Sequence, residues 1–134
     1  MSAASDFLEV ELLDHVLTGS TYTPPANVYV ALFTASTGLE TNNPSAEVSG
    51  GTYSRKQASF AAAQLVGGAG SSSTDATITF DTATANWGTI THIAVMDAAS
   101  SGNVLFHGPV TTPKTIETGD TFQISAGNLT ITLD

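Results

Sequence analysis

"GTITHIAVMDAASSGNVLFHGPV", residues 88–110, is the stretch on which the fold turns. Two runs rich in β-branched and apolar residues, 88–97 and 103–110, flank Ala98 to Gly102, a Ser/Gly turn of hairpin length. Strict alternation along the first run places Ile90, His92, Ala94 and Met96 on one face and Thr91, Ile93, Val95 and Asp97 on the other. His92 and Asp97 then point to opposite sides, so they cannot act as a base and its orienting acid. The plain reading of His92 is a sheet histidine bonded to a backbone or hydroxyl group. Trp87, the only Trp, precedes Gly88 and reads as a large core or interface anchor.

Outward from this hairpin the same pattern recurs. "NVYVALFT" (27–34) is apolar on both faces, as a central strand covered on each side must be. "TYSRKQASF" (52–60) follows a Ser49-Gly50-Gly51 turn. "ATITFD" (76–81) aligns Ile78 with Phe80. "KTIETGDTFQIS" (114–125) turns at Thr118-Gly119, and "SAGNLTITLD" (125–134) combines a turn at Ala126-Gly127 with alternating Leu129, Ile131 and Leu133. Residues 36–50 and "GGAGSSST" (67–74) read as exposed flexible loops.

Residues 5–18, "SDFLEVELLDHVLT", form the one helix candidate. Asp6 and Glu9 read as its capping pair, Leu8, Leu12, Leu13, Val16 and Leu17 as one apolar stripe, and Gly19 as its end. The predicted fold is a mostly β, antiparallel β-sandwich or jelly-roll-like domain of seven to eight strands with one N-terminal helix. It reads as a single domain over 1–134, with a helical arm at 1–20 and the β-sandwich at 27–134.

Composition narrows the function. The chain has 134 residues, enough to hide roughly two-thirds of its unfolded surface. It has no Cys, which excludes disulfides, thiolate metal sites and a Cys nucleophile. Twelve acids face only Arg55, Lys56 and Lys114, for a net charge of -9. Three cations cannot line a phosphate-binding groove, so nucleic acid and anionic membrane are not expected partners. The acidic first residues lack the basic segment of a secretory signal, and no apolar run approaches the roughly 18 residues of a bilayer span. Synthesis in a host cytoplasm is the expectation.

Chemistry is sparse. His15 sits beside Asp14 on the helix, and His107 precedes Gly108-Pro109 at a strand end. No metal-binding or calcium-loop spacing occurs, "GGAGSSS" lacks the Lys of a phosphate loop, and no Gly-x-Ser-x-Gly elbow is present. Glu117 and Asp120 straddle a turn, where carboxylates bond locally. The reading is no enzyme, no catalytic residue, no cofactor and no metal. A hydrolase would need an acid and a base paired in a cleft, and nothing positions such a pair.

The acidic helix, "TYTPPANVYVALFT", "AEVSGGTYSR", "ITFDTATANWGTITHIAVMDAASSGNVLFHGPV" and "TPKTIETGDTFQISAGNLTITL" follow one another in this order. This succession resembles a family of small virion structural proteins of tailed bacteriophages, often labelled tail fibre proteins, from about Leu8 to Leu133. Its most specific elements are Gly-Gly-x-Tyr-x-Arg at Gly50 to Arg55 and Trp-Gly at Trp87-Gly88. The resemblance implies a non-enzymatic particle component. A short domain without repeats is then expected to be a capsid cement or decoration protein. It would bridge copies of the major capsid protein on the outer capsid surface and self-associate, with a trimer as the expected order. A tail fibre or tail-tip receptor-binding protein is the alternative, with the 36–50 loop as its glycan reader. Leu8, Leu12, Val16 and Trp87 are the expected interface residues.

Overall fold

The computed structural model describes residues 2–134. Its centre is a five-stranded sheet built from β1 (Ala3–Ala4), β2 (Val28–Phe33), β3 (Lys56–Ala58), β7 (Gly88–Met96) and β8 (Val104–Ile116). The spatial order is β1-β8-β7-β2-β3, all neighbours antiparallel. The β7–β8 hairpin forms as its sequence pattern predicts, closed by a hydrogen bond from Asp97 N to Asn103 O at 3.1 Å. The second run extends well past residue 110, so that β8 reaches Ile116.

Alternation along β7 is broken by a bulge. Between the pairs His92–Pro109 and Ile90–Lys114, Thr91 alone stands opposite residues 110–113 of β8. A bulge re-aims the side chains beyond it. Ile90 therefore joins Val30, Leu32 and the half-buried Ile93 in one apolar cluster, while Ala94 and Met96 belong to another with Ala31, Phe33 and Val104. The predicted grouping of Ile90 with Ala94 and Met96 is corrected accordingly.

The chain is mostly β with one N-terminal helix, but it is neither a closed jelly roll nor a seven- or eight-stranded sandwich. Ten strands form three separate open sheets among the described residues. The first cluster is covered by a two-stranded ladder of β6 (Ile78–Thr79) and β9 (Gln123–Ile124), with Phe80, Trp87 and Phe122 beside it. These strands are too short to make a second full layer. The second cluster is covered by no sheet. Residues 36–48 fold back over it and bury Leu39 completely, while Val48 at the segment's end packs into the first cluster; the segment is tied by Thr34 N to Ala46 O and Val48 N to Leu32 O, both 3.0 Å. The segment expected to be an exposed loop thus acts as the lid of half the core.

The second predicted loop is also structured. β4 (Gln64–Val66) and β5 (Ala69–Ser73) form a hairpin around Gly67-Gly68, and β10 (Thr130–Leu133) pairs along the other side of β5. Both glycines have positive φ (58° and 88°), the conformation that two-residue hairpin turns demand. Ser and Gly have weak strand propensity, so the neighbouring strands on both sides impose the conformation of β5.

The helix α1 (Asp6–Leu13) runs on into a π-helical turn, Asp14–Thr18, and stops at Gly19 as predicted. Its cap is Ser5 rather than Asp6. The fully buried Ser5 hydroxyl accepts from Leu8 N at 3.3 Å and donates to Val104 O, so it caps the helix and fixes it to β8 together. Leu8 is buried with Ala4 and Leu105, and Phe7, Leu12, Tyr22 and Phe106 pack around them.

Candidate interaction surfaces

The Gly50–Arg55 motif turns Gly51, Tyr53 and Arg55 toward the molecule, half-buried, and leaves Gly50, Thr52 and Ser54 exposed. Gly51 takes φ of +55°, and a Cβ there would stand 2.9 Å from both Ala85 N and Trp87 Nε1. Only Gly allows the approach, which lets Trp87 Nε1 donate to Gly51 O at 3.0 Å. Tyr53 meets Trp87 edge-on at 5.5 Å and stacks on Phe80 at 6.2 Å. Its hydroxyl accepts from Leu32 N at 3.0 Å and donates to Glu47 Oε1 at 2.9 Å. Burial, more than any neighbouring charge, pushes the Tyr53 hydroxyl well above the ordinary tyrosine range.

Arg55 completes this network. Its guanidinium grips Glu47 through two parallel bonds of 2.8 Å and donates to Ala98 O and Ser101 O at 2.8 and 2.7 Å. The bond to Glu47 is the main influence raising its pKa, against the opposing effect of burial. One side chain thereby joins the lid over the second cluster to the tip of the β7–β8 hairpin. Such bidentate, charge-assisted bonds fix geometry as well as contributing energy. The motif is a structural joint.

The other polar residues are likewise engaged locally. A hydrogen bond of 2.8 Å joins His92 Nδ1 to Thr91 Oγ1, and burial, then the nearby His107, lowers the His92 pKa. Asp97 accepts from Asn103 N and Nδ2 at 2.6 and 2.9 Å, away from His92. His15 Nδ1 accepts from Tyr22 N at 3.2 Å, and His107 Nε2 donates to Glu40 Oε2 at 2.7 Å. Asp120 Oδ2 accepts from Glu117 N at 2.9 Å, the local turn bond expected of that pair. Asp6, Glu9 and Glu40 bring three exposed carboxylates together, an ordinary surface arrangement in so acidic a chain.

Among the described residues, what remains unsatisfied is apolar surface, in two places. On the outer side of the helix, Val10, Leu13, Val16 and Leu17 are exposed, the last two by 73% and 74%. Asp6, Glu9, Glu11 and Asp14 share this helix, and no Lys or Arg precedes Arg55 in the chain. The second patch is on the three-stranded sheet, where Leu65 is 79% exposed and Val66 61%. Sequence reading missed it, although Gly-Gly between apolar runs is a hairpin signal.

Of the expected interface residues, Leu8 and Trp87 are buried within the chain and Leu12 is half-buried against β8, whereas Val16 is free. The apolar stripe on the helix is in fact two stripes. Leu8 and Leu12 turn inward with Phe7, and Leu13, Val16 and Leu17 turn outward with Val10. Among the described residues no helix is long and apolar enough to cross a membrane.

An inward-turned polar motif, locally bonded titratable groups and outward apolar patches define a structural protein of contacts. The family described as Podophage GP4 fiber I protein gp80 matches residues 3–132, and the chain belongs to it. It is a virion structural protein of the fibre class. A search of curated proteins finds no match.

Proposed function

We propose that this chain is a tail-associated fibre component that is seated on the particle through its N-terminal helix. The family supports the fibre role, and the exposed helix face is the observation that carries the mode of attachment. Burying a Val or Leu side chain contributes about 1.5–3 kcal/mol, so four on one face provide a substantial docking surface. The acids along the helix call for a partner whose apolar groove is rimmed by Lys or Arg. A second copy of this chain offers little of that kind. Arg55 is held by Glu47, Lys56 pairs with Asp81 at 3.0 Å, and Lys114 alone makes no ion pair among the described residues.

The capsid-cement role, in which the chain bridges major capsid subunits on the outer shell, is the second reading. The absence of any internal repeat favours it. Receptor reading by residues 36–50 has less support, because this segment is occupied in covering the core with Leu39 and Val48.

Copy number in purified virions, by quantitative mass spectrometry against the major capsid protein, tests the proposal. A handful of copies per particle supports the fibre. A simple fraction of the shell subunits supports cement instead. A photo-crosslinker at position 17 should attach the chain to a basic tail protein, and attachment to the major capsid protein would overturn the fibre reading.

A further inference from the structure

We propose that copies of this chain associate with one another through the open edge of β4 and the apolar cavity beside it. The proposal is independent of where on the particle the chain resides. β4 pairs only with β5, so its other side is an unpaired strand edge. Val66 and Ala69 flank the two-residue turn and form its closing pair. Hydrogen-bonded and non-bonded pairs alternate in an antiparallel ladder, which leaves the N–H and C=O of Leu65 pointing outward. Edges of this kind are normally protected by charge, by Pro or by a covering loop. Here no charged residue lies between Lys56 and Asp75, and all three residues of β4 are exposed.

The face next to this edge is equally unfinished. Leu65, Gly70 and Leu133 lie in one row across the three strands. With no side chain at Gly70, the row has a gap at its centre. Beneath it, between this sheet and β2, β7 and β8, is an open cavity of about 330 Å³, lined among others by Phe60, Leu105, Phe106, Ile131 and Leu133. Its lining is almost wholly apolar. An exposed apolar knob, Leu65, thus stands beside an apolar hollow on the same face.

Charge selects the occupant. At a net charge of -9, two copies repel each other over most of their surfaces. Residues 57–74 and 128–133 carry no charge at all. A second copy can approach β4 across this uncharged stretch, with Asp75 and Asp134 only at its margins, and it carries the same knob and hollow. Self-complementary patches of this kind are what copy-to-copy interfaces require. The acidic helix face has the opposite character, and it is left for a basic partner.

The experiment uses the purified full chain. Light scattering behind size exclusion, across a concentration series, should give a whole multiple of the 13.7 kDa chain mass. Leu65→Lys should return it to a single chain with an unchanged far-UV spectrum, because the side chain is exposed. Leu17→Ser should leave the assembly intact. Hydrogen exchange on the unmodified protein gives a second readout: the Leu65 amide should be protected at high concentration and exchange freely on dilution. A wild-type protein of single-chain mass at every concentration would overturn the proposal. So would an assembly that survives Leu65→Lys or retains a rapidly exchanging Leu65 amide.

Discussion

Strand β2 and the N-terminal helix are both apolar on two sides, and they meet opposite fates. Val30, Ala31, Leu32 and Phe33 are completely buried, because the β6–β9 ladder covers one face and residues 36–48 the other. On the helix, Leu8 and Leu12 are covered by β8 and its neighbours, but Val10, Leu13, Val16 and Leu17 remain in water. Apolar pattern therefore states a need for cover without saying what supplies it. In β2 the same chain supplies both covers. On the helix it supplies one, and the other must come from outside.

The largest effect should follow from opening the better-covered side. Trp87 fills the first cluster, meets Tyr53 edge-on and bonds to Gly51 O. Trp87→Ala removes all three contacts and should cost about 3–5 kcal/mol, the usual range for a buried aromatic truncated to Ala. Chemical denaturation of the purified chain measures it. A loss within about 0.5 kcal/mol, the range of ordinary surface substitutions, would mean that Trp87 is not a core residue.

Leu39→Ala examines the less obvious cover. Leu39 is fully buried on the second cluster, yet it belongs to a segment with hardly any regular structure. Its truncation should cost about 2–4 kcal/mol, in the range for buried Leu to Ala, if residues 36–48 are a true lid. A near-neutral result would return the segment to the status of a loose loop and leave Ala31, Phe33 and Met96 in need of another partner.

Elements whose pattern is local were legible in the sequence. The 88–110 hairpin, the two-faced β2, the Ile78–Phe80 pair, the helix stop at Gly19 and the turn carboxylates at 117–120 all lie where the residues indicate. Non-local choices were not. Leu39 sits among Thr, Gly and Asn, and nothing nearby says that it reaches a sheet face. Ser5 outcompetes Asp6 as cap because its hydroxyl also reaches Val104 O on a distant strand. The bulge at Thr91 depends on four residues of β8, so strict alternation on β7 misassigns Ile90. Leu8 and Val16 look equivalent by helical spacing, and only the position of β8 separates the covered residue from the free one. The Gly50–Arg55 motif carried the family likeness without revealing its role, since its partners Glu47, Trp87 and Ala98 come from three other segments.

The smallest stability effect is expected where the comparison is sharpest. Leu13→Ser with Leu17→Ser changes two large apolar side chains that are mostly exposed. Away from packing and buried polar groups, surface substitutions stay within about 0.5 kcal/mol each, so the doubly substituted chain should unfold close to wild type. The same substitutions should strongly reduce its recovery in purified virions, because the docking face loses its apolar anchors while its carboxylates stay. Stability and incorporation must therefore separate in this variant, whereas Trp87→Ala should lower both together. If the double serine variant loses more than about 1 kcal/mol, both helix faces are being used inside the isolated chain, beyond the few tenths a surface change accounts for. The contrast with β2 would then fail, and the helix would no longer be free to seat the protein on the particle.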